Sequence, residues 1–405
     1  MVDRCPLHSH PMPMDEEYWH DPHAAYARMR AAGPIHRICL PDGIPVWFVT
    51  DYQHVHAGLR DQRLARPRKY AGPDYTNTLP PEGLADSRLV MEDPPEQTQT
   101  RRLVNFAFRE NRVAEIIPRI EEIIGKLLDD TEEAAAANGG EVDLVQTYFA
   151  PLSISVIGEI LGIPAQDFDL VRIAGDSAIA PAEGDDPAVL NGLIKVMIQL
   201  IENRRREPTD DLISYWATTR EKNDEPLSTH DILIMTSIIF FGGFDSSVGA
   251  LSLSTLDLLG HPEQLAKLRA NPELYPAAVE ELLRRHSTVV RGFRRFARED
   301  LEIAGQRISA GDTVLLSINA ANRDPQVFPD PQALDFDRPE NSKHIGFGRG
   351  PHYCPGHVLV RAELAVALRT LLERFENLEL AVPQQDIDWR RSTFVRTPRG
   401  LPVRL

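Results

Sequence analysis

Apolar residues recur every three to four positions through most of the chain, a spacing that predicts a largely helical protein. Arg112 to Ala137 keeps it up to the breaker Asn138-Gly139-Gly140, and further helices are expected near 144–162, 165–179, 187–206 and 210–220. The longest begins after Ser228-Thr229, a plausible N-cap, and runs through Leu259 to Gly260-His261-Pro262. It is apolar on nearly all sides, as a helix through the middle of a large protein would be. Gly242-Gly243-Phe244-Asp245-Ser246-Ser247 interrupts it with glycines and polar groups, a costly insertion that needs a reason.

Toward the N-terminus, Asp21-Pro22 opens a helix to Ala32, a short strand pair including Val46 to Thr50 follows, and Tyr52 to Arg60 forms a second helix. The proline-rich stretch 66–88 shows no period, and a loop of that length is usually functional. After a helix at 273–285, short alternating runs at Leu301 to Ile308 and Thr313 to Ile318 predict strands, broken by Gly305 and Gly311. An irregular stretch (322–339), a glycine-rich loop (345–356) and a last helix to about Phe375 complete a mainly α architecture with a minor β portion.

A length of 405 residues alone suggests two or three domains, but no linker, repeat or low-complexity block divides the chain. One domain over 1–405 is expected, with 1–14 as a mobile tail. The net charge of −16 argues against general affinity for nucleic acid or anionic membranes. No stretch is read as approaching the roughly 20 apolar residues of a spanning helix. The polar start carries no signal-peptide core, so a cytoplasmic protein free of membrane is expected. Three widely spaced cysteines argue against a disulfide framework and, with no CxxC pair, against zinc. Cys5 reads as a tail thiol and Cys39, between Ile38 and Leu40, as a small core residue.

Cys354 has a different neighbourhood: Phe347-Gly348-Arg349-Gly350-Pro351-His352-Tyr353-Cys354-Pro355-Gly356. Glycines let backbone approach a flat ligand closely, and a cysteine just before a helix sits where N–H groups and the helix dipole favour a thiolate. A thiolate donor on haem iron favours O–O cleavage. The loop resembles the haem-binding signature of the bacterial cytochrome P-450 family, Phe-x-x-Gly-x-x-x-Cys-x-Gly, with Phe347, Gly350, Cys354 and Gly356 in its fixed places. Glu281-Leu282-Leu283-Arg284 resembles the family's Glu-x-x-Arg motif and Arg338 its third partner, which together imply a buried structural network. Asn322-Arg323-Asp324-Pro325 resembles the meander before the cysteine loop.

The resemblance implies the cytochrome P-450 fold, with heme b (iron protoporphyrin IX) between the long central helix and the cysteine loop and last helix. It makes Cys354 the metal ligand, with Phe347 and Gly348 in its loop. Arg295, His352 and Arg101 would meet the haem propionates. Gln97 stands where the family usually has histidine, so one propionate contact is expected to be weaker or lost. Gly242 to Ser246 resembles the family's dioxygen-activating motif, with Asp245 and Ser246 as the proton relay and Ser247 as a second hydroxyl; alternatively the serines bond back to the preceding turn.

Substrate contacts are expected from the loop at 66–88, the segment near 176–194, and Phe240, Phe241, Gly242, Val289, Val290, Phe394 and Val395, with a turn near Thr393. Arg291 would reach an acidic substrate group or else be another haem-edge or surface arginine. Electrons would come from a separate ferredoxin and its NAD(P)H-dependent reductase, steered to a basic patch of Arg102, Arg109, Arg112 and Arg361. The expected activity is monooxygenation: one atom of O2 enters a small organic, secondary-metabolite or aromatic substrate. Oxidative coupling or ring closure is the near alternative, and a haem-thiolate sensor without turnover the distant one.

Overall fold

The computed structural model describes residues 16–41, 43–73, 75, 87, 89–179, 187–220, 224–392 and 394–405. The expected tail 1–14, Thr393 and most of the loop 66–88 lie outside them. The central helix is Thr229–Leu259, and Ser228 caps it by accepting the Asp231 N–H at 3.0 Å. It packs against Ala150–Leu161, Pro187–Arg206 and His357–Arg374, and from Phe244 to Leu258 almost every side chain is buried. By length and composition this helix could cross a membrane, contrary to the expectation from the sequence. An average over its length absorbs the Gly, Ser and Thr positions that break the apolar run. Here its all-round apolarity is met by helices packed on several sides.

The other helices fall close to the sequence reading. Glu110–Ala137 spans 28 residues, Leu212–Thr218 is shorter than expected, and Ala150–Leu161 is preceded by a π-helical turn over Val145–Phe149. The β portion is one five-stranded sheet and two small ones. In the larger sheet the strands run Ile35–Cys39, Pro45–Val49, Thr313–Leu316, Arg295–Ala297 and Leu64–Ala65, with one parallel pairing, Pro45–Val49 on Thr313–Leu316. The run 301–308 is instead a separate hairpin, turning at Ala304-Gly305 with both φ positive. Leu64–Ala65 and Arg295–Ala297 went unread because two or three residues show no alternation.

Cys39 is buried, as its reading as a small core residue expected, but it is disulfide-bonded with its partner outside the described residues, a bridge the sequence reading did not anticipate. Spacing along the chain carries no information on which distant segment folds against it.

The expected charge network forms. Glu281 and Arg284 are fully buried, joined by Nε–Oε2 and Nη2–Oε1 hydrogen bonds of 2.7 and 2.9 Å, and Arg338 Nε reaches Oε1 at 3.1 Å. The remaining guanidinium hydrogens go to carbonyls of the irregular stretch, from Arg284 to Asn322 and Pro331 and from Arg338 to Pro329, Asp330 and Ala333. Side chains here supply the partners that backbone without regular structure cannot give itself. The network thereby pins the segment leading into the cysteine loop.

Candidate active site

Between the central helix and the cysteine loop lies a cavity of about 1000 Å³. Its wall includes the predicted residues Cys354, His352, Phe347, Gly348, Arg295, Arg101, Asp245, Ser246, Phe241, Gly242, Phe394 and Arg291. Three predicted residues are not wall residues. Val290 is buried in the cluster with Tyr26 and Phe48, because Val289 pairs with Val395 and alternation turns the next side chain the other way. Gln97 is buried and donates its amide to the Pro351 carbonyl at 2.8 Å. Phe240 likewise packs into the core against Phe244.

The cysteine loop is built for close approach. Gly348 and Gly350 have φ of 71° and 72°, and a Cβ on Gly350 would lie 3.0 Å from the Leu59 carbonyl oxygen. The Cys354 N–H donates to the Phe347 carbonyl at 2.9 Å, and the last helix, His357–Arg374, starts three residues later. Burial pushes the Cys354 thiol up, while the Gly356 N–H and the charges of Arg101 and Arg361 oppose this. Arg361 lies over the Phe347 ring, 4.5 Å from its centroid.

Along one edge of the cavity the wall is cationic. Arg295 is buried, holding the Leu64 and Leu59 carbonyls at 2.9 and 3.3 Å, and burial brings it down to about 10. His352 is pushed down to about 3, first by burial and then by the charge of Arg66; its Nε2 is 3.6 Å from Asp93 Oδ1, an ion-pair distance too long for a hydrogen bond. Arg101 Nε donates to Asn105. Several buried polar atoms of wall residues have no hydrogen-bond partner: Arg66 Nε, Arg349 Nε, His352 Nε2 and Glu363 Oε1. Buried donors rarely stay unpaired. A flat ligand with carboxylates at one edge fits this wall, which is what haem b presents.

Across the cavity, Asp245 is buried and paired with Arg390 at 3.0 Å. Ser246 Oγ donates back to the Gly242 carbonyl, so the back-bonded arrangement is the one present. A Cβ on Gly242 would meet nothing within 4 Å, whereas one on Gly243 would lie 2.9 Å from Ile157 Cδ1. One glycine thus leaves room at the wall and the next permits helix contact. Ser247 donates to Glu363 Oε2 at 3.4 Å.

Glu363 was not read from the sequence, although an acid inside the apolar face of the last helix was the available signal. Burial raises its carboxyl from 4.5 to about 7. Below pH 4.5 folded and unfolded chains both hold this proton; as pH rises to 7 the folded chain alone keeps it, so its stabilising share is lost over that window. The loss is about 3 kcal/mol. Glu363→Gln should therefore be relatively more stable than the parent at pH 8 than at pH 5, measured by urea midpoints; equal pH slopes would refute it.

Arg291 is buried, with its guanidinium 5.9 Å from the Phe394 centroid and its charge felt by Tyr18 and Tyr26. Of the four arginines expected as a basic patch, Arg112 is held by Asp210 at 2.7 Å and Arg361 by Glu280, which corrects the patch by two charges. Arg66, Asp93, Arg349 and Arg390 were also unread, since each acts only through partners distant in the chain.

Residues 187–404 match the sequence family described as Cytochrome P450. The chain is 40% identical over 387 residues to Nocardicin C N-oxygenase of Nocardia uniformis subsp. tsuyamanensis, covering 95% of each. Its fold is similar to that of the bacillaene polyketide synthase cytochrome P450 PksS of Bacillus subtilis 168, with TM-score 0.88, 35% identity and coverage of 97% and 99%. It is also similar to CxnD, described as forming a C–S bond in chuangxinmycin biosynthesis, with TM-score 0.86, 31% identity and coverage of 100% and 97%.

Proposed function

Because this chain belongs to the cytochrome P450 family, whose members bind haem through a cysteine thiolate, we propose that it inserts one atom of O2 into a small secondary-metabolite substrate, with electrons from a separate ferredoxin and reductase. The observation that carries this is the placement of Asp245 and Ser246 across one cavity from Cys354. Haem, when bound, supplies the iron centre at which dioxygen is activated.

The chain's own residues do the rest. Cys354 is the thiolate donor, and Gly356 and Arg101 favour its charged form. Phe241, Val289, Phe394 and Val395 line the cavity and exclude water from the reacting region. Asp245, oriented by Arg390, delivers protons toward the cavity, and the Ser246 hydroxyl passes them on by releasing the Gly242 carbonyl.

Asp245→Asn and Ser246→Ala should keep haem yet lower coupled product formation by roughly 100-fold each, within the range of general-acid catalysis. Product per NADPH consumed, with a surrogate redox pair, measures this; unchanged coupling in both variants would sink the relay. Arg291, which lines the cavity beside Phe394, would meet an acidic substrate group. A Soret titration with organic acids and their neutral esters tests that role, and Arg291→Ala should erase a preference for the acids by about tenfold in affinity. No preference in the parent rules the role out.

The likeness to CxnD favours a second reading, oxidative bond formation between two substrate atoms without oxygen insertion. Incorporation of label from isotopic O2 into product separates the two.

A further inference from the structure

We infer that Arg66 is a haem-propionate ligand, taking the place left by Gln97. The inference rests on the haem binding of the family and is independent of the oxygenation chemistry. Leu64–Ala65 pairs antiparallel with Arg295–Ala297 in the register Leu64↔Ala297 and Ala65↔Phe296, which continued by one residue sets Arg66 opposite Arg295. Both side chains line the cavity and both are buried. Like charges directly across a strand pair destabilise it, and burial away from water makes this worse.

The carboxylates near this cluster are already shared among other partners, Asp93 lying 3.6 Å from His352 as well. Asp93 takes Arg298 at 2.6 Å and the Arg66 backbone N–H at 3.3 Å, and Asp61 takes Arg63 at 2.7 Å. Arg66 itself donates Nη1 to the Val90 carbonyl at 3.0 Å and lies 5.0 Å from the Phe293 ring centroid, while its Nε has no partner. A fixed, planar, buried donor aimed at a cavity calls for a carboxylate there. Gln97, facing Pro351 behind the wall, does not supply that contact. Arg66 comes from just beyond the strand Leu64–Ala65 and restores with full charge what the neutral amide lacks.

The test is the rate at which the holoenzyme loses haem to excess apomyoglobin, together with the propionate-bending band in resonance Raman spectra. Arg66→Gln should speed haem loss about tenfold, as expected for one charge-assisted hydrogen bond, and should shift the propionate band. Arg66→Lys keeps the charge but not the planar fork, so it should shift the band with a smaller change in rate. It decides the matter if Arg66→Gln does not fold. Haem loss within twofold of the parent overturns the assignment. Faster loss with an unmoved band also overturns it, because Arg66 would then act only by holding the loop at Val90.

Discussion

Cys354→Ala is expected to abolish product formation while leaving part of the bound haem in place. The two effects separate because different residues carry them. Cys354 is the free cysteine of the described residues and sits in the cavity wall, so no other thiolate there can replace it. The cationic edge formed by Arg295, Arg101 and Arg66, with the neutral imidazole of His352 beside it, remains intact in the variant and still offers donors to the propionates. A neutral side chain at 354 removes the electron donation that favours O–O cleavage, and turnover should fall below detection. Haem content by pyridine haemochromogen, the reduced carbon-monoxide spectrum and product assays check this on one preparation. A variant with a thiolate-type spectrum and measurable turnover would place the ligand elsewhere.

Glu281→Ala is expected to have the largest effect on stability, about 3–5 kcal/mol, the range for removing one partner of a buried ionic group. It leaves Arg284 and Arg338 facing each other in the interior, and burial alone already disfavours the charge on Arg284. The irregular segment at 329–335 loses its anchor, since the arginines that hold its carbonyls are themselves positioned by Glu281. Urea unfolding followed by far-UV circular dichroism measures the loss, and haem content should fall with it because this segment leads into the cysteine loop. Glu281→Gln keeps the shape and some hydrogen bonds and should lose less. A loss under about 1 kcal/mol for Glu281→Ala would show that the network is not a stability element.

Much of the site was legible because its chemistry is local in sequence. The loop from Phe347 to Gly356 needs its glycines at fixed steps from Cys354, and the structure shows why at Gly350, where a Cβ would crowd the Leu59 carbonyl. Glu281 and Arg284 are three apart on one helix, so their pairing follows from helical geometry. The central helix was legible from its all-round apolarity, and Asp245 stood out in it as the acid next to the Gly242-Gly243 pair.

Other features were decided only when distant segments met. Arg66 and Arg295 face each other because a two-residue strand pairs with a three-residue one, too short for any periodic signal. Glu363 reaches Ser247 across two helices, and Arg390 reaches Asp245 across 145 positions in the chain. Val290 missed the cavity by the alternation of one strand-like bridge, whose register only the fold sets. The sequence by itself determined the helical scaffold, the thiolate loop and the Glu281–Arg284 pair, since each depends on residues within a few turns of one another, whereas Arg338, 57 positions from Glu281, was read only through the family resemblance. Tertiary structure alone decided which charges line the cavity and which are already paired, because partner choice between remote segments is settled by packing, and packing is not written at any one position.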